Sequence, residues 1–112
     1  MYFITTFEKL EKNELGWWNL GSKRTVGYFH SLEEAREIVR NNVSDLCETI
    51  YDFALIEGID EGLYPIWLNH QELFQVKNPT VIIDGKEVYN NDLTYESIPI
   101  PEDFAPTSVV IG

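Results

Sequence analysis

The run Ile50-Tyr51-Asp52-Phe53-Ala54-Leu55-Ile56 is apolar at alternate and intervening positions alike. A strand with one wet face alternates between apolar and polar side chains. This run instead predicts a central strand, covered by a helix on one face and partly buried on the other. The rest of the chain must therefore supply one helix with an apolar stripe and further strands to flank the spine.

The helix is legible. Ser31 stands where an N-cap would, with Glu34 three residues on, which is the pattern of a capping box. Leu32, Ala35, Val39, Val43 and Leu46 then recur at helical spacing, and Glu33, Glu34, Arg36, Glu37 and Arg40 fall mainly on the other side. One amphipathic helix to about Asn42 follows. Glu33 with Arg36 and Glu37 with Arg40 can pair one turn apart. Each such term is only about 0.2 to 1 kcal/mol, so packing and not charge fixes the helix.

Strand character appears at 2–7 and again at 25–29, both aromatic and β-branched. Between them, 9–23 turns polar around Gly16-Trp17-Trp18-Asn19-Leu20-Gly21, which predicts a loop or hairpin tip. Turn residues at 57–62 precede an extended segment over 64–77. The clearest local signal is Asp84-Gly85 between the strand-like runs 81–83 and 86–89, because a two-residue type I′ hairpin needs positive φ at both central residues. Asn90-Asn91-Asp92 turns again, Pro99 and Pro101 hold an irregular path, and 108–111 could add a closing strand. The predicted fold is a single α+β domain over residues 1–112, one main helix on a largely antiparallel sheet with a C-terminal β-hairpin.

Composition bounds the function. The chain has 112 residues, enough for one core without a metal or disulfide staple, and a formal net charge of -11 from 19 acids against 8 bases. Broad contact with phosphate backbones needs clustered lysine and arginine, so direct nucleic-acid binding is not expected. The first residues lack the pattern of a secretory signal, and no stretch approaches the roughly 18 apolar residues of a membrane span, which predicts a cytoplasmic protein with no membrane partner. The single Cys47 reads as a small buried hydrophobe.

Chemistry-bearing patterns are sparse. His30 and His70 have no nucleophile or metal-ligand partner at motif spacing, and the 52–60 region does not follow the calcium-loop pattern. No phosphate loop, dinucleotide fingerprint, nucleophile elbow or zinc pair is present, so a non-enzymatic protein without cofactor or metal is expected.

Recognition residues stand out more clearly. Between Arg40 and Lys77 there is no lysine or arginine, while Asp45, Glu48, Asp52, Glu57, Asp60, Glu61 and Glu72 all occur there, alongside Trp67. Such a one-signed stretch predicts a continuous negative field, with Asp52, Glu57, Asp60, Glu61 and Trp67 as the contact residues for a partner with a basic surface. A second set is Trp17 and Trp18 followed by Lys23 and Arg24. Adjacent tryptophans in extended backbone cannot both enter the core, so one is free to stack on a base while Lys23 and Arg24 hold phosphate, as in a small homo-oligomeric binding protein that sequesters a nucleotide-like signal.

The opening Tyr2-Phe3-Ile4-Thr5-Thr6, the Val26-Gly27-Tyr28-Phe29 followed by Ser31-Leu32-Glu33-Glu34-Ala35, the stretch Glu48-Thr49-Ile50-Tyr51-Asp52 with Ile56-Glu57, and Glu61-Gly62-Leu63-Tyr64-Pro65 resemble a family of small acidic uncharacterised proteins of Firmicutes and their phages and mobile elements. The resemblance covers roughly the first two-thirds of the chain. It implies a phage-type accessory protein and carries no site residues. Together with the acidic stretch it leads to the expectation of an anti-defence inhibitor, whose carboxylates block the basic nucleic-acid-binding surface of a host protein.

Overall fold

Along the chain run β1 (Tyr2–Phe7), β2 (Glu11–Lys12), β3 (Trp18–Asn19), β4 (Lys23–Phe29), α1 (Leu32–Arg40), β5 (Phe53–Ile59), β6 (Leu68–Lys77), β7 (Thr80–Ile83), β8 (Lys86–Tyr89) and β9 (Thr94–Ile98). This computed structural model describes residues 1–60 and 68–104. The expected closing strand at 108–111 and the start of the segment 64–77 lie outside the described residues.

Five strands form one sheet in the order β4-β1-β5-β6-β9, and every neighbouring pair is antiparallel. The apolar run thus becomes β5, the middle strand, with Ala54 to Ile59 all buried. Its two faces divide by alternation. Ile4, Ala54, Ile56, Phe74 and Tyr95 share one face and pack under Ala35 and Val39 of α1, with Cys47 and Leu93 closing the cluster. Phe7, Leu55 and Leu73 share the other and pack with Leu20, Trp18 and Phe104. There the rings of Phe7 and Phe53 stack at 5.2 Å. The fold is α+β, one helix on an antiparallel sheet.

Ser31 caps α1 by accepting from Glu34 N at 3.3 Å. The helix stops at Arg40, two residues short of the expected end, because Asn41 caps it and Asn42 turns left-handed at φ 47°. Glu33 pairs with Arg36 at 3.3 Å as expected, but Arg40 reaches back to Glu33 at 3.6 Å and not to Glu37. The spine also starts later than the apolar run. Glu48 and Thr49 have positive φ, so residue 50 leaves a turn and the ladder begins at Phe53.

The Asp84-Gly85 hairpin forms as expected. Asp84 at φ 52° and Gly85 at φ 75° supply the two left-handed residues, and β7 pairs with β8 from Thr80↔Tyr89 to Ile83↔Lys86. This arm is a separate two-stranded sheet. Strand β9 was not legible, since Thr94-Tyr95-Glu96-Ser97-Ile98 buries only Tyr95 fully, on the helix side. No helix among the described residues is long and apolar enough to cross a membrane.

Candidate functional site

The segment 42–52, between the end of α1 and the start of β5, gathers five of the eight positive-φ non-glycine residues among the described residues. Asn42, Ser44, Asp45, Glu48 and Thr49 all have φ between 46° and 63°, a region that costs non-glycine residues about 1 kcal/mol or more each. The segment is held by its own hydrogen bonds. Asn42 Oδ1 accepts from Cys47 N at 2.9 Å, and Cys47 O accepts from Tyr51 N at 2.7 Å. Cys47 is buried to 1% exposure and anchors the turn in the helix-side core.

Pinning at Cys47 turns other side chains outward. Val43 and Ile50 are 43% and 52% exposed, and Asp45 and Asp52 are exposed beside them. Among the described residues neither Asp45 nor Asp52 makes an ion pair, and residues 61–67 and 105–112 contain no lysine or arginine. Glu48 differs, because Arg24 Nη1 donates to both its oxygens at 3.1 and 3.0 Å. Partial burial pushes the Asp52 carboxyl up from its ordinary value.

Tyr89, at the base of the β7–β8 arm, joins this shoulder to the arm. Its hydroxyl donates to Cys47 Sγ at 3.7 Å. Burial, the Cys47 sulfur and then the Asp45 and Asp52 charges push its pKa up to about 12, which puts both carboxylates in the field around one ring.

The expected contact set does not form one surface. Glu57 is 0% exposed, since on the middle strand it faces away from the helix, in register with Phe3 and Gln71; it cannot meet a partner. Asp52 and Asp60 are both exposed but bracket β5, about 26 Å apart at the rise of an extended strand. Asp60 accepts a hydrogen bond from Asn69 Nδ2. Glu61 and Trp67 lie outside the described residues. Of the remaining acids, Glu48 is matched by Arg24 and Glu72 by Arg36 and His70. The negative stretch is therefore divided by the strand that runs through it.

The second set is not brought together as a phosphate grip either. Lys23 pairs with Phe7 and Arg24 with Thr6, so the two side chains leave opposite faces of the sheet, and Arg24 is engaged by Glu48. Trp18 is half-buried against Phe104, donates from Nε1 to Asp103 O at 3.0 Å and carries Lys12 Nζ 5.6 Å above its ring. Trp17 is 70% exposed on a turn that Asn13 Oδ1 fixes by accepting from Leu15 N and Trp17 N.

Sequence reasoning missed one polar constellation. Arg36 on α1 holds Glu72 on β6, and Glu72 Oε2 also lies 2.5 Å from His70 Nε2. Partial burial works to raise the Glu72 carboxyl, but the hydrogen bonds with Arg36 and His70 outweigh it and hold the group below its ordinary value of 4.5. Only the i, i+2 spacing of His70 and Glu72 on one strand face could have signalled it. No group of three or more metal-ligating side chains occurs among the described residues.

No family model, curated protein or solved structure matches this chain.

Proposed function

We propose that this is a non-enzymatic interaction protein that docks a basic protein surface through the shoulder 43–52, with Asp45 and Asp52 as its charged contacts and Val43 and Ile50 as its exposed apolar ones. The observation that carries the reading is the pairing of two carboxylates outside any ion pair with two exposed apolar side chains, on a strained backbone anchored at Cys47. Exposed apolar side chains together with charged ones are the make-up of a recognition surface. The net charge of -11 speeds the approach of a cationic partner. The partner class that fits is a host protein with a basic nucleic-acid-binding face, which a carboxylate-rich ligand blocks by standing where phosphates would. Such blocking is the action of an anti-defence inhibitor.

The test is capture of partners from a host lysate on immobilised protein, followed by competition with heparin as a polyanion. The double variant Asp45→Lys with Asp52→Lys should abolish capture, while Asp60→Lys, at the far end of β5, leaves it intact. The captured partner should elute with added salt or heparin. Undiminished capture by the double variant overturns the reading.

A further inference from the structure

The β7–β8 arm presents the least protected strand edge in the described structure. The outer strands of the main sheet both carry features that discourage pairing. Strand β4 has Lys23, Arg24 and an irregular register at Ile4/Thr5 of its neighbour, and β9 has Glu96 and is followed by Pro99. In the arm, β8 carries Lys86 and Glu87. Strand β7 is preceded by Pro79 but carries no charged residue of its own. Its residues are Thr80-Val81-Ile82-Ile83, and Ile82 and Ile83 are 69% and 56% exposed.

From these observations we infer that β7 is a self-association edge, and that its occupant is β7 of a second copy of this chain, paired antiparallel about Ile82. Charge permits a second copy. Over 77–90 the arm carries Lys77, Asp84, Lys86 and Glu87, which cancel to zero in a chain of -11, so the arm itself adds no like charge to the contact between two copies. Register selects the centre. An antiparallel pair related by a two-fold axis must place residues of the same face opposite each other, and an axis through Ile82 sets Ile82 against Ile82 and Val81 against Ile83. Every cross-strand pair at the centre of the joint is then β-branched and apolar, the kind of pair that stabilises a sheet. The product is a four-stranded sheet, β8-β7-β7-β8, in place of a hairpin that alone is marginal.

The contact is small. A standard interface of about 800 Å² per partner uses about 20 to 30 residues a side, so the ten residues of an arm bury roughly 300 to 400 Å². A weak dimer follows, one populated only at high protein concentration. Its salt response is diagnostic. Added salt screens the repulsion between two bodies of -11 and should strengthen the dimer, whereas it weakens docking on a basic partner.

The experiment is sedimentation equilibrium of the full chain over a concentration series at low and high salt, with circular dichroism to confirm the fold of each variant. Wild-type mass should rise toward that of a dimer, more so in high salt. Ile82→Lys and Ile82→Glu each place like charges on the two-fold axis and should each stay monomeric. An equimolar mixture of the two should restore the dimer, since Lys then meets Glu. A wild-type chain that stays monomeric at high salt overturns the inference, as does self-association of either variant or failure of the mixture to restore it. Failure of the lysate experiment leaves this result untouched, because the two surfaces carry different substitutions and opposite salt responses.

Discussion

Arg36 Nε lies 2.9 Å from Glu72 Oε1 and its Nη2 lies 2.9 Å from Oε2, a bidentate pair that ties α1 to β6 across the helix-covered face. Glu72 is 17% exposed, so the pair is screened less than the more exposed Lys9–Glu11, Arg24–Glu48 and Arg40–Glu33 pairs. Because its folded pKa is depressed below 4.5, the contribution of Glu72 to stability is present above that value and is lost as pH falls through the folded value. Urea midpoints should therefore fall on acidification below about pH 4.5. In Glu72→Gln the midpoint is lower at pH 7 and the acid slope is shallower. Parallel acid slopes in the two proteins would remove Glu72 as the source.

Gly58 is required where β5 passes β6. A Cβ built there meets Asn69 Oδ1, His70 Cβ at 2.8 Å and Tyr2 Cε1 at 3.1 Å, just before the register shift between Gly58 and Ile59. His70 Cβ sits near its own backbone and cannot swing aside, so the strand must move. Gly58→Ala should destabilise the fold by about 1 to 3 kcal/mol, the usual range for overpacking a filled site. Chemical denaturation measures it, and a variant as stable as wild type would show that the ladder yields there without strain.

The adjacent tryptophans should separate in a mutant pair. Trp18 packs on Phe104 and donates to Asp103 O, so Trp18→Ala removes apolar burial and a hydrogen bond and should cost about 2 to 3 kcal/mol. Trp17→Ala takes a 70% exposed side chain off a turn held by Asn13 and should stay within about 0.5 kcal/mol of wild type. Equal losses in the two variants would contradict this division of roles.

What was legible in the sequence was what local chemistry decides. The period of residues 50–56 announced the central strand, Ser31 with Glu34 announced the helix start, and Asp84-Gly85 announced the arm. What stayed hidden depends on residues far apart in the chain or on backbone that composition does not mark. Arg24 meets Glu48 over 24 positions and Arg36 meets Glu72 over 36, so counting acids between Arg40 and Lys77 overstated the free charge. Glu57 looked like part of a charged surface, but it sits on the middle strand, where both faces are buried. The left-handed run at 42–49 contains no glycine; Asn42 and Asp45 are residues that tolerate that region, but nothing in the segment signals that Ser44, Glu48 and Thr49 adopt it too.

Tyr89 and Tyr95 make alkaline stability a probe of the junction between arm and body. Burial is the main cause of both shifts, with Cys47 and nearby Asp52 adding, and the folded pKa of Tyr89 rises from 10 to about 12 while that of Tyr95 also rises. A folded-state pKa above the unfolded one means that the folded chain holds its protons longer. The stabilising contribution is thus complete below pH 10 and is lost as pH climbs toward 12. Urea midpoints should decline over that window. Tyr89→Phe should flatten part of the decline with little change at pH 7, since its hydroxyl donates to a sulfur at 3.7 Å, a weak acceptor. Tyr95→Phe flattens it too but costs about 1 kcal/mol at pH 7, because the buried Tyr51 carbonyl loses a donor at 2.6 Å. Identical alkaline slopes in wild type and Tyr89→Phe would mean that this phenol ionises as freely in the folded chain as in the unfolded one, and that the arm does not rest on Cys47 in solution.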